Sequence, residues 1–183
     1  MASEKLRSLG KHLGTFSPDL GGGKAVVAEA IGTYLLVLAS AGVGSSFGAV
    51  GASLGGLQPA LAPALTLLAL VLMFGATSMA AFNPAVSLGL LLAGRLPKAR
   101  FVPYLIAQFG GGLAAGLTLR LLLRSTLLGV SGTQMPSVLA LLLEALISAW
   151  LVWAYLAVTE KDVPVLQAAL VLSASLGACI LWA

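Results

Sequence analysis

Asn83 and Pro84 stand in the stretch AAFNPAVSLGLLLAG, Ala80 to Gly94, between two long apolar runs. An asparagine side chain is neutral and carries both donors and an acceptor. Proline cannot sit inside a helix without loss, but it suits the first helical position, where its missing N–H is not needed. The pair therefore reads as a helix start, with Asn83 as N-cap, Pro84 at the first position and about two turns from Val86 to Ala93. Some ten apolar residues are too few to cross about 30 Å of hydrocarbon. One reading is a kinked span. The other is a half-helix that re-enters the membrane, with its electropositive N-terminus and an amide donor at mid-depth. Such a tip suits a water or hydroxyl acceptor and disfavours cations and protons.

Two acids also lie in apolar sequence, Glu29 and Glu144, with Gln108 between them. A carboxylate in hydrocarbon is costly and normally faces protein or water. Backbone N–H groups of a broken loop are suitable partners. Glu29 follows Lys24 by about one turn, so a solvated position near the surface is the competing reading. Glu144 lies about two turns into its run. Gln108 fits either the loop or a bond to a neighbouring span. His12 lies in a polar N-terminal segment, and the single cysteine, Cys179, rules out an internal disulfide. No metal set, nucleophile or phosphate loop accompanies the acids, so neither an enzyme nor a metal or other cofactor is expected. A proton-coupled carrier using Glu29 and Glu144 is a minor alternative.

These residues must be held by membrane spans. The 183 residues are 59% hydrophobic and 9% charged, with a mean hydropathy of +1.04. That is too little charge to coat a water-soluble domain. A net charge of +4, spread along the chain, does not suggest nucleic acid. Five apolar runs are long enough to span, at about 25–45, 60–80, 99–123, 137–159 and 164–183. Ala39-Ser40-Ala41 resembles a signal-peptidase site, but the run before it is too long and holds Glu29, so a retained first span is expected. Residues 1–24 read as a cytoplasmic disordered tail. Lys5, Arg7, Lys11, Lys24, Arg95, Lys98, Arg100 and Lys161 fall on one side, against Arg120 and Arg124 on the other. The excess places the N-terminus in the cytoplasm.

AEAIGTYLLVLA (28–39) lies over LEALISAWLVWA (143–154), aligning Glu29 with Glu144. An odd number of spans separates them, so the two units would be inverted in the membrane, a common transporter and channel plan. The expected repeats are about 25–123 and an incomplete 137–183. In the third span Ala107, Gly111 and Ala115, with Gly112 and Gly116, place small residues where helices can approach closely. Trp150, Trp153 and Trp182 read as interface anchors or as filler.

The stretch Ala81 to Gly89 resembles the first Asn-Pro-Ala box of the aquaporin, or major intrinsic protein, family. Residues 28–37 resemble that family's first span, Gly94-Arg95 with Tyr104 to Gln108 its entry into span three, and Glu144 its fourth-span glutamate. The resemblance covers roughly residues 25–180. It implies an all-α membrane protein, an aquaporin-like helical bundle with about five transmembrane helices and one re-entrant half-helix. It also implies passive passage of water or small neutral solutes such as glycerol, multi-pass residence in the plasma membrane, and a homo-oligomer, a tetramer in this family. By the same resemblance Asn83, Pro84, Ala85 and Ala81 line the pore, and Glu29, Glu144 and Gln108 support re-entrant loop backbone.

The chain departs from the family in two ways. The glutamate offset puts a second Asn-Pro-Ala box at about residues 187–198, beyond Ala183. The second half-helix and the sixth span are thus expected to be missing. The family's filter positions fall near Pro63, where an aromatic is usual, and near Ala178. The competing expectation is therefore a truncated or degenerate homologue that does not transport, and a third is that two short chains complete one pore.

Overall fold

The computed structural model describes residues 16, 22–43, 57–123, 138–160 and 163–182. Most of the expected tail (residues 1–15, with His12, and 17–21), the connection at 44–56, Arg124 and Lys161 lie outside the described residues. Six helices follow in order: α1 (Gly22–Val43), α2 (Gln58–Ser78), α3 (Pro84–Leu92), α4 (Lys98–Leu123), α5 (Val138–Thr159) and α6 (Val165–Trp182). Among the described residues, five are long and apolar enough to cross a membrane. The sixth, α3, has nine residues and reaches only about 14 Å.

The ends of α3 are written in its own sequence. Asn83 is extended (φ −146°, ψ 126°), and its side-chain Oδ1 accepts from the Ala85 N–H at 2.8 Å. Pro84 then takes the first helical position without losing a bond. At the other end Gly94 is left-handed (φ 71°). Its N–H reaches Leu91 O at 3.0 Å, and the Arg95 N–H reaches Leu90 O at 2.8 Å. This is a Schellman closure with glycine in the position that glycine favours.

Around this short element the long helices pack in a defined order. α1 lies against α4 and α2, α2 against α6, and α5 against α6, while α3 wedges between α4 and α5. Lipid tails are as apolar as leucine, so close fit rather than hydrophobic exclusion must hold such spans together. The contacts use small residues accordingly. On α4, Ala107, Gly111 and Ala115 form a buried stripe toward α1. A Cβ at Gly111 would overlap the Ala30 carbonyl oxygen. One at Gly89 on α3 would overlap Val152 of α5, and one at Gly177 would sit 3.2 Å from Ala64 of α2. The outer faces stay apolar, with Val27, Ile31, Ile106, Phe109, Leu113 and Leu117 all exposed.

Hydrogen bonds tie the helix ends at one face of the bundle. Arg100 donates to Gly22 O at 2.9 Å, joining the starts of α4 and α1. Arg95 donates to Thr159 O at 3.1 Å, tying the turn after α3 to the end of α5. Lys24, Arg95, Lys98 and Arg100 therefore gather at one end, and Arg120 lies near the far end of α4. The first half of α5 is little covered: of residues 141–150, all but Ile147 are exposed. Further along, the Trp150 and Trp182 rings meet edge to face at 6.0 Å, whereas Trp153 stays exposed.

Gly111→Ala should push α1 from α4 and cost about 1–3 kcal/mol, the usual range for overpacking. Gly110→Ala, where an added Cβ meets nothing within 4 Å, should be neutral or slightly stabilising. Thermal unfolding of the two variants in detergent checks the contrast.

Candidate functional site

Between α2 and α3 the chain runs through Met79 to Asn83 without regular structure. Met79, Ala80 and Phe82 all have positive φ, at 71°, 49° and 46°. None is glycine, so each residue costs of order 1–2 kcal/mol in this region. Met79 to Phe82 are also buried, so their backbone groups need protein partners.

Glu29 supplies two of them. It is fully buried on α1 and accepts the Ala81 N–H at 3.0 Å and the Phe82 N–H at 2.7 Å. It also accepts the Ser78 hydroxyl and the Gln108 Nε2 amide, each at 2.8 Å. Four donors on two oxygens suit the acceptor capacity of an ionised carboxylate. The carbonyls are met from other helices. Tyr104 OH on α4 donates to Ser78 O at 2.9 Å, and Tyr155 OH on α5 to Ala80 O at 2.6 Å. Thr33 Oγ1 on α1 donates to Phe82 O at 3.2 Å. The Ala80 N–H goes to Ser78 Oγ at 3.2 Å. Gln108 further donates to Ser87 Oγ at 2.8 Å, which ties α3 into the same network. Its own Oε1 is left without a partner among the described residues.

Packing completes the hold. The Phe82 ring lies on Gly32 of α1, where a Cβ would overlap it, and meets Phe74 edge to face at 6.4 Å. Asn83 and Pro84 are half-buried, and Ala85 is exposed. Asn83 Oδ1 is taken by the Ala85 N–H. Its Nδ2 has no partner among the described residues and stands beside the N-terminus of α3. The result is a neutral donor at the electropositive end of a short helix, which can bind a water or hydroxyl oxygen and repels cations.

Residues 19–183 match the major intrinsic protein family. The chain belongs to that family. It is also 43% identical, over 95 residues, to Aquaporin Z of Brucella melitensis biotype 1, a match that covers 50% of this chain and 41% of that relative's length. Membership, with the five long apolar helices, makes the chain a multi-pass membrane protein of the all-helical class expected from its sequence.

The residues singled out from sequence are not all brought together. Glu29 and Gln108 meet at the loop between α2 and α3. Asn83, Pro84 and Ala85 sit at its exit, whereas the Ala81 side chain is turned into the core at 3% exposure. Glu144 is exposed in the first half of α5 and bonds none of the described residues. Pro63 is buried on α2 and Ala178 is half-buried on α6, each next in sequence to the Ala64–Gly177 contact. Ser78, Thr33, Ser87, Tyr104 and Tyr155 were not assigned roles from sequence. The available signal was a hydroxyl in an apolar run, which needs a partner, opposite a loop whose carbonyls need donors. Among the described residues no three His, Cys, Asp or Glu side chains come together as metal ligands would.

Glu29→Gln replaces one acceptor oxygen with a donor. Ser78 can rotate its hydroxyl to adapt, but either the Ala81 or the Phe82 N–H must lose its acceptor. The expected cost is about 1–3 kcal/mol. It should appear as a lower unfolding temperature and as faster hydrogen exchange at the Ala81 and Phe82 amides.

Proposed function

We propose that this chain forms an aquaporin-type channel for passive passage of water or small neutral solutes, with Asn83 orienting the solute. The observation that carries the reading is the division of labour within Asn83. Its oxygen caps α3, and its Nδ2 remains free at the helix tip. A solute oxygen would accept from that amide, while the partial positive charge of α3 would hold back cations. Pro84 and Ala85 would keep the tip in place, with Glu29 and Gln108 holding the loop behind it. Membership of the major intrinsic protein family and the likeness to Aquaporin Z support the reading. The basic end formed by Lys24, Arg95, Lys98 and Arg100 would face the cytoplasm, in the plasma membrane. A homo-oligomer, in this family a tetramer, is the proposed assembly.

A second reading is that the chain folds in the membrane without conducting on its own. The uncovered first half of α5, with Glu144 exposed in it, favours this alternative.

Stopped-flow light scattering of vesicles decides between the two. A conducting chain should speed osmotic shrinkage over empty vesicles; equal rates would leave the second reading. Asn83→Asp keeps a competent N-cap but puts a negative charge at the tip. In conducting vesicles it should raise cation leak, measured as dissipation of an imposed sodium gradient.

A further inference from the structure

Phe16 precedes α1 and belongs to no span, yet it is only 3% exposed. Its ring lies on Gly75 of α2, with Cε2 and Cδ2 at 2.9 and 3.1 Å from the point a Cβ would occupy. The Phe16 N–H donates to Val163 O at 2.7 Å, just ahead of α6. The residue thus bridges the end of α2 and the start of α6. Gly75 belongs to the buried stripe of α2 with Leu67, Val71 and Ser78. It lies about one turn before Ser78, and its carbonyl accepts the Met79 N–H that begins the loop. The aromatic ring is therefore seated against the turn that leads to Asn83, at the basic end of the bundle.

The other sides of that turn are occupied. The loop hangs on Glu29 and Thr33 of α1, and α3 is packed against α4 and α5. The side left for a passage from Asn83 to the basic end is the one bounded by α2 and α6, where Phe16 lies. We infer that Phe16 is a stopper: seated between α2 and α6, it narrows the exit of the path past Asn83 and throttles flow. The inference rests on the channel reading. It assigns to the N-terminal segment a regulatory role, with one bulky apolar side chain as the obstructing element. The missing side chain at Gly75 is the seat that receives it.

Vesicles carrying the full chain, Phe16→Ala, Phe16→Leu or Phe16→Trp test the idea by stopped-flow shrinkage. A stopper predicts a severalfold faster rate for Phe16→Ala, an intermediate rate for Phe16→Leu, and no gain for Phe16→Trp. Equal, non-zero rates for all four remove the stopper and leave the channel standing. A silent parent with an active Phe16→Ala supports both. Silence throughout, with helical circular dichroism intact, removes both. Phe16→Cys in a Cys179→Ser background gives a second measurement that does not depend on flow. A seated residue should react slowly with a membrane-impermeant maleimide, and reaction as fast as in the denatured chain overturns the inference.

Discussion

A backbone that stops halfway through hydrocarbon must find partners for its own N–H and C=O groups, because lipid offers none. Met79 to Asn83 is such a backbone, and the burial of Glu29 is the other half of the same problem. A carboxylate in an apolar span is costly, and so are unpaired amides. Placed together, each removes the cost of the other. The Ala81 and Phe82 N–H groups converge on one carboxylate, the arrangement of a backbone nest around an anion. The left-handed residues that flank and include them turn successive amides toward the same point. Their strain is tolerated because five side chains on α1, α2, α4 and α5 fix the loop from several sides at once.

That network dictates how closely the helices must approach. Glu29 reaches the loop only if α1 lies tight against α4, which also delivers Tyr104 and Gln108. Gly111 permits that approach. Gly32 admits the Phe82 ring beside Thr33, and Gly89 lets α3 settle on α5, from which Tyr155 reaches Ala80. Polar satisfaction and small-residue packing are thus one constraint seen from two sides. The hydrogen bonds fix which helix faces must meet, and the glycines let them meet.

The sequence carried this fold unevenly. Spans and half-helix were readable because their signals are local: apolar length for the five long helices, Asn83-Pro84 and Gly94 for the ends of α3. The stripe Ala107, Gly111 and Ala115 was readable as a packing face, since helical spacing puts those residues in line. The partners of Glu29 were readable only as a class, loop amides, because which amides face it depends on the left-handed turn through Met79, Ala80 and Phe82. Nothing in those residue types announces positive φ. Tyr155 is further still from a local signal: its hydroxyl meets a carbonyl 75 residues away. Phe16 stood in a segment read as disordered, and its burial depends on a seat at Gly75 that is visible only once α2 and α6 are in place.

Glu29 and Glu144 show why residue type and repeat position do not fix a role by themselves. Both lie in apolar helices, and the repeat aligns them. Glu29 has four donors and is fully buried, whereas Glu144 is exposed among exposed apolar neighbours on α5. Lipid tails cannot donate a hydrogen bond, so an acid at that depth needs water or polypeptide beside it. Whatever covers this part of α5 in the membrane must therefore bring N–H or O–H groups to Glu144, a requirement that an apolar helix face with no free donor cannot meet. The demand is the one that Met79 to Asn83 meets for Glu29, and it arises from the same cost of an unpaired charge in a medium without donors.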